Sequence, residues 1–87
     1  MSQILKKAEL VPGIFEYVVK TPEISKKAQP GHFVIVMAEE EGERIPLTIA
    51  DSDAKAQTIT LVMMVVGTST LKLSRMEEGQ DFYALLG

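Results

Sequence analysis

The sequence predicts an all-β domain, a six-stranded antiparallel Greek-key barrel with one short helix. Six segments are rich in β-branched, aromatic or other apolar residues, and turn residues separate them. The segments do not alternate with helices, so the pattern indicates an antiparallel barrel rather than βαβ units. The 87 residues are expected to form one domain, 1–87, close to the lower size limit for an independent hydrophobic core.

The first hairpin is predicted from strands 2–10 and 14–20, because Pro12-Gly13 marks a turn between them. The second of these strands, IFEYVVK, is rich in β-branched and aromatic residues. The polar segment Thr21–Gln29 is predicted as a connecting loop that ends sharply at Pro30-Gly31.

A second hairpin is predicted from strands 32–38 and 44–50, joined by the acidic turn Glu39–Glu43. The next turn is predicted at Asp51-Ser52-Asp53, because short polar side chains bind nearby backbone groups. The acidic run is interpreted as a solvated turn rather than as a cation site.

The remaining elements are one long strand, one helix and a final strand. The strand covers 58–66 and ends at Gly67, and the helix begins near Ser69, whose hydroxyl could cap its first turn. Gly79 closes the helical region, and the last strand covers 82–86.

Composition excludes several kinds of function. The chain has no cysteine, which removes disulfides and cysteine-bound metal, and its net charge of −3 argues against nucleic-acid binding. His32 is the only histidine and is interpreted as a packing or edge residue, so we assign no metal ligand and no catalytic residue. Without a signal peptide or a membrane-length apolar run, the chain is expected to be soluble and cytoplasmic.

The segment Arg44–Ala50 has the first pattern that indicates a ligand. Pro46 cannot donate to a sheet ladder, and Thr48 shares its face of the strand while Leu47 points to the other. An open backbone edge beside a hydroxyl can bind a planar heterocycle. The alternative is an ordinary edge strand entered through a proline.

The segment Val66–Leu71 has the second such pattern. A buried strand runs into Gly67 and the three hydroxyls of Thr68, Ser69 and Thr70, just before a helix. The free amides of a helix start can bind a phosphate or pyrophosphate, and Gly67 would allow close approach. Simple capping of the helix is the alternative.

The order of these segments resembles the N-terminal FAD-binding barrel of the ferredoxin–NADP reductase superfamily. The likeness extends especially to the electron-transfer subunit of dihydroorotate dehydrogenase. It extends equally to the alpha subunit of NADH-dependent ferredoxin:NADP oxidoreductase, which is also a sulfide dehydrogenase subunit. Pro30, Gly31 and Phe33 match the family's P-G-Q-F segment, and Leu86-Gly87 begins its L-G-P-x-G phrase.

The resemblance implies roles for residues of both ligand-like segments. Thr48 corresponds to the hydroxyl near flavin N5, Leu47 to the ring-packing residue, and Pro46 to its neighbour. Arg44 lies one residue too early for the arginine that contacts the pyrophosphate, so either a bulge restores it or it has another role. Gly67, Ser69 and Thr70 match the pyrophosphate loop, with Thr68 in its variable position; the whole set is Arg44, Pro46, Leu47, Thr48, Gly67, Thr68, Ser69 and Thr70.

The resemblance also implies a larger protein that passes electrons between NAD(P)H and a ferredoxin or iron–sulfur partner. The chain stops inside an apolar run at Leu86-Gly87, so we expect a fragment that lacks an NAD(P)-binding domain and any iron–sulfur cluster. Alone, such a fragment is expected to be inactive. Two alternatives remain: a small barrel that binds only other proteins, and a barrel of the riboflavin-synthase type that binds riboflavin or a lumazine.

Overall fold

The computed structural model describes residues 2–87 and contains one six-stranded antiparallel sheet with two short helices. The strands, in chain order, are β1 Gln3–Val11, β2 Ile14–Lys20, β3 Phe33–Met37, β4 Ile45–Asp53, β5 Thr58–Met64 and β6 Ala84–Leu86. The helices are α1 Pro22–Ser25 and α2 Thr68–Ser74. The predicted all-β class, the six strands and the helix after β5 are therefore confirmed.

The strand order is β1-β2-β5-β4-β3-β6. Strands β3, β4 and β5 are joined as consecutive neighbours, and β6 returns to lie beside β3, which is the Greek-key arrangement. Backbone bonds then close the sheet: Ile4 N–H donates to Gln80 O at 2.8 Å, and Gly79 N–H donates to Ile4 O at 2.7 Å. The result is the predicted small barrel.

The barrel interior is filled by alternate residues of each strand, because successive side chains of a strand point to opposite faces. On β5, for example, Ile59, Leu61 and Met63 are buried while Val62 and Met64 are exposed. The other strands contribute Ile4, Tyr17, Val19, Val34, Val36, Leu47 and Ile49 to the same core. Leu73 of α2 and Phe82 complete this core.

Two Pro-Gly turns match the prediction in position and in mechanism. Gly13 has a φ of 83° and Gly31 a φ of 94°, values that favour glycine and that a turn of this type requires after its proline. At the second turn His32 N–H donates to Gln29 O at 3.1 Å, which closes the turn before β3. His32 is exposed there, at the entrance to the strand.

Two local predictions differ from the structure. The segment Thr21–Gln29 was expected to be a loop, but it contains the single turn of α1, which begins at Pro22. Proline is well suited to the first turn of a helix, because the amide that it lacks would have no partner there. The predicted turn at Asp51-Ser52-Asp53 is wrong, because β4 continues through these residues and the turn follows at 54–57.

Asp53 nevertheless has the turn chemistry that was predicted for its segment. Its carboxylate accepts hydrogen bonds from the N–H groups of Lys55 and Ala56, both at 3.0 Å. The side chain therefore starts the turn from the last residue of the strand, not from inside the turn.

Candidate functional site

The first predicted ligand segment lies where β4 has a strand neighbour on one side only. β4 pairs with β3 through Thr48 opposite Phe33, Leu47 opposite Val34, and Pro46 opposite Ile35. Its pairing with β5, in contrast, runs only from Ile49 to Asp53. In the described strand pairings, the part of β4 around Pro46 therefore has an open edge on the side of β5. This agrees with the sequence, because Pro46 has no N–H to donate to a neighbouring strand.

The outer face of this open end presents Pro46 and Thr48, and both are exposed. Phe33, 62% exposed, lies directly across from Thr48 on β3, since opposite residues of an antiparallel pair share a face. Ile35 lies next to Pro46 in the same way. The strip thus combines an aromatic ring, a proline ring and a hydroxyl.

Leu47 lies on the opposite, inner face of β4. It is only 8% exposed and belongs to the hydrophobic core of the barrel. The alternation predicted for Leu47 and Thr48 is therefore confirmed, and Leu47 supports the exposed strip from inside the barrel. On the exposed side Phe33 offers an aromatic ring, although the sequence analysis noted this residue only as a match to the family's P-G-Q-F segment.

Arg44 precedes β4 and is exposed. The pairing of β3 with β4 runs without a register shift from Ile45 to Thr48, and the irregularity in β4 occurs later, between Ile49 and Asp51. The bulge considered for Arg44 is thus absent from the described pairing between Arg44 and Thr48.

The second predicted segment forms the start of α2, and Thr70 organises it. The Thr70 hydroxyl oxygen accepts hydrogen bonds from Val66 N–H at 2.8 Å and from Gly67 N–H at 3.0 Å, and the hydroxyl donates to Gly67 O at 3.1 Å. Thr70 therefore caps the helix start, a role that the sequence analysis had considered for Ser69. Thr68 is exposed and Ser69 half-buried, and no side-chain hydrogen bond is described for either.

A cleft of about 230 Å³ is lined by residues of both predicted segments, but Pro46, Leu47 and Thr48 are not among them. Ile45 at the start of β4 lines it, as do Thr68 and Ser69 at the start of α2. The acidic loop between β3 and β4 forms the rim with three carboxylates, Glu39, Glu41 and Glu43. Arg44 does not line this cleft.

Lys72 is the basic residue of the cleft, and the sequence analysis missed it. Its ammonium donates a hydrogen bond to the Glu39 carboxylate at 2.7 Å, and this bond raises the pKa of Lys72. The sequence does contain a signal for Lys72: it lies four residues after Thr68, so the two side chains share one face of a helix. Its partner Glu39 could not be found that way, since it lies 33 residues away in sequence.

A larger cavity of about 670 Å³ is lined by Phe33 together with residues of α1 and of the end of β6. Ile24, Ile35 and Leu86 give it mainly apolar walls, and His32 also lines it. In residues 2–87 no three His, Cys, Asp or Glu side chains gather closely enough to hold a metal ion. Nor does this part of the chain contain a helix long and apolar enough to cross a membrane.

Known proteins match the chain over its whole length. A Thermotoga maritima protein described as a homologue of the electron transfer subunit of dihydroorotate dehydrogenase B (NAD⁺) is 37% identical over 87 residues. An uncharacterized Clostridium beijerinckii protein, encoded in the adh 3′ region, is 43% identical over 90 residues. The chain spans about a third of the length of these curated relatives, 31% and 30% respectively. No family model matches the chain.

Among solved structures, a chain of the NADH-dependent reduced ferredoxin–NADP oxidoreductase superposes on the barrel with a TM-score of 0.96. The two are 37% identical, and the match covers all of this chain and 32% of that one. That structure was reported for its insights into flavin-based electron bifurcation. These matches confirm the resemblance predicted from the sequence: over its whole length the chain is similar to a homologue of the dihydroorotate dehydrogenase electron-transfer subunit and to a chain of the NADH-dependent reduced ferredoxin–NADP oxidoreductase.

Proposed function

We propose that the chain is the FAD-binding barrel of a flavin oxidoreductase that passes electrons between NAD(P)H and a ferredoxin or iron–sulfur partner. The observation that carries the proposal is the open end of β4, where Pro46 and Thr48 lie exposed beside an edge that β5 does not cover. The relatives named for electron transfer and for a flavin-based reaction support the same class of function.

The residues of the exposed strip suit the ring of a flavin dinucleotide. A flat ring can pack on Phe33 and Pro46, since aromatic and proline rings offer apolar area without a hydrogen-bonding demand. The Thr48 hydroxyl lies on the same face and can exchange a hydrogen bond with a polar atom at the ring edge. The cleft at Thr68 and Ser69 then gives room for the phosphates at the other end of the ligand.

Each group of residues at the site would have a distinct role. Bound flavin supplies the redox chemistry, accepting a hydride and releasing single electrons. Pro46, Phe33 and Thr48 would orient the ring, and Leu47 would hold the strand in place from the core. Gly67 and Thr70 would shape the loop, while the exposed Thr68 and the half-buried Ser69 would be the hydroxyls that bind phosphate.

The nicotinamide site and the acceptor lie outside this barrel in our proposal. We propose an NAD(P)-binding domain as its neighbour, because the relatives are about three times as long as this chain. An iron–sulfur or flavin subunit, or a ferredoxin, would receive the electrons. The barrel alone would bind flavin without NAD(P)H-dependent turnover.

The test is a titration of the full-length gene product with FAD, FMN and riboflavin, followed by flavin fluorescence and calorimetry. We expect FAD to bind most tightly, and we expect Thr48→Val to weaken it about fivefold, the value of one neutral hydrogen bond. Thr60→Val is the matched control, because Thr60 lies on β5 away from the open edge.

Two outcomes would contradict the proposal. If no flavin binds and the melting temperature does not respond to FAD, the barrel is a cofactor-free interaction module. If riboflavin binds as tightly as FAD, the site takes a ring without its phosphates, as in a barrel of the riboflavin-synthase type.

A further inference from the structure

Strand β3 has an uncovered backbone edge at its beginning. It pairs with β4 from Phe33 to Val36, whereas its pairing with β6 starts only at Ile35, which lies opposite Leu86. In the strand pairings described for residues 2–87, Phe33 and Val34 therefore have a neighbouring strand on the β4 side alone. A strand edge of this kind offers N–H and C=O groups to an extended chain that lies beside it.

The register of β3 with β4 shows which backbone groups face the open side. Opposite residues of an antiparallel pair alternate between those that exchange two backbone hydrogen bonds and those that exchange none. Ile35 lies opposite Pro46, which has no N–H, so this pair exchanges none, and the same holds two residues earlier for Phe33 opposite Thr48. The N–H and C=O groups of Phe33 consequently point away from β4. Among the backbone hydrogen bonds described for residues 2–87 outside the sheet ladders, none involves Phe33.

The cavity of about 670 Å³ lies along this open edge. Phe33 lines it from β3, Ile24 from α1, and Leu86 and Gly87 from the end of β6. Gly87 already lies against α1, since a Cβ atom placed on it would be 3.4 Å from Ile24 Cγ1. The register that places Leu86 opposite Ile35 would place the second residue beyond Leu86 opposite Phe33. An extension of β6 by two residues thus enters the cavity and meets the free groups of Phe33.

We propose that the β3 edge at Phe33 and this cavity bind the connecting segment, the residues that directly follow Gly87 and join the barrel to its neighbouring domain. The segment would lie extended and lengthen β6. This inference rests on the neighbouring domain of the proposed function, and not on flavin binding. The relatives support that domain, because they are about three times as long as this chain.

Attachment to β6 favours this occupant over a free ligand or a second copy of the chain. A segment continuous with β6 has an effective concentration at the edge on the order of millimolar, and it loses no translational freedom when it binds. It also supplies a backbone donor and acceptor with the spacing that an antiparallel partner requires. The walls formed by Ile24, Ile35 and Leu86 would bury its apolar side chains.

Phe33 would then have two roles. Its backbone would hold the connecting segment, while its ring remains on the exposed strip with Pro46 and Thr48. The neighbouring domain would therefore begin directly beside the strip on which we propose that the flavin ring packs.

The experiment places a photo-reactive amino acid, p-benzoylphenylalanine, at the position of Lys27 in the full-length gene product. Lys27 is exposed and lines the cavity, so the probe can react there without entering the core. We expect ultraviolet light to link it, within one molecule, to the residues that directly follow Gly87, as mapped by mass spectrometry. Lys26 is the matched control, because it is the adjacent exposed residue and does not line the cavity. The same probe at Lys26 should give about tenfold less of this product.

Hydrogen exchange of backbone amides in the same protein is the second measurement. If the connecting segment pairs with β3, the Phe33 amide should exchange as slowly as that of Ile35, which faces β6. Both amides should exchange at least about tenfold more slowly than that of Glu40, an exposed residue of the loop between β3 and β4. The result should be the same with and without FAD.

Several results would refute the inference. They are a Phe33 amide that exchanges as fast as that of Glu40, equal yields of the product from the two probe positions, and a link from the Lys27 position to flavin or to a second molecule. Slow exchange of Phe33 only in the presence of FAD would also refute it, because the ligand would then cover the edge. If no flavin binds, but the link within one molecule forms and Phe33 exchanges slowly, the proposed flavin function fails and this inference stands.

Discussion

The two ends of helix α2 are attached to the barrel in different ways. At its C-terminal end the Tyr17 hydroxyl donates a hydrogen bond to Leu73 O, and the Lys7 ammonium donates one to Ser74 O, both at 2.7 Å. Tyr17 is fully buried and Lys7 largely so. These bonds attach the C-terminal end of the helix to β1 and β2.

At the other end, the helix faces the cleft. The exposed ion pair with Glu39, which joins the helix to the loop between β3 and β4, is made by Lys72 in the last turn of α2. Thr70 bonds only within its own loop. The start of α2 is therefore held by the local bonds of Thr70.

The difference shows how one short helix serves both stability and binding. Buried hydrogen bonds and apolar contacts are costly to break, whereas an exposed ion pair contributes little to stability. The comparison predicts large effects of mutation at one end and small effects at the other.

The largest effect is expected from Leu73→Ala. Leu73 is 1% exposed and packs in the core, so its truncation leaves a cavity and should lower the free energy of unfolding by about 3 kcal/mol. Urea unfolding measures the change. Leu71→Ala on the same helix is the control, because Leu71 is 41% exposed and should change the same quantity by no more than about 0.5 kcal/mol. Equal losses in both variants would show that α2 is not anchored through its inner face.

The strands and turns of the barrel, to which the C-terminal end of α2 is attached, could be predicted from sequence. Segments such as IFEYVVK and TITLVMM identify the strands themselves, because β-branched and aromatic residues are enriched in strands. The Pro-Gly turns were predictable because their geometry requires glycine. The turn at Asp51-Ser52-Asp53 was misplaced because an aspartate can start a turn from the last position of a strand.

The candidate site could be predicted from sequence only in part. Pro46 and Thr48 could be placed on one face from alternation alone, but the divergence of β4 from β5 depends on how distant strands pair. The Glu39–Lys72 contact joins residues 33 positions apart, and no local pattern relates them. Sequence therefore indicated which segments form the site, but not which charges line it.

A smaller effect is expected from Tyr17→Phe, which keeps the ring but removes the bond to Leu73 O. The ring would still pack edge-on against Phe82, so the free energy of unfolding should fall by about 1.5 kcal/mol near neutral pH. Tyr83→Phe is the control, because Tyr83 is 55% exposed. If both changes are equally small, the buried bond does not anchor the helix.

Alkaline pH tests the same anchor without mutation. Burial, with a smaller contribution from the charge of Glu77, raises the pKa of Tyr17 from 10.0 to about 12. Since the folded pKa exceeds the unfolded one, the stabilisation by the neutral phenol is complete below pH 10 and is lost as the pH rises toward 12. The stability difference between wild type and Tyr17→Phe should shrink over this interval, as measured by urea unfolding at each pH. A constant difference would mean that Tyr17 ionises equally in both states.

The smallest effect is expected at the cleft end, from Thr70→Val. This change keeps the shape of the side chain but removes the hydroxyl that accepts from Gly67 N–H and Val66 N–H, so it should cost about 1 kcal/mol of unfolding free energy. Because the loop would lose its fixed geometry, FAD affinity should fall while riboflavin affinity does not. Thr68→Val is the matched change, since the exposed Thr68 has no described side-chain hydrogen bond and its loss should leave stability unchanged. If Thr70→Val destabilised the protein as much as Leu73→Ala, the start of α2 would be as firmly anchored as its end, and the contrast between the two ends would be wrong.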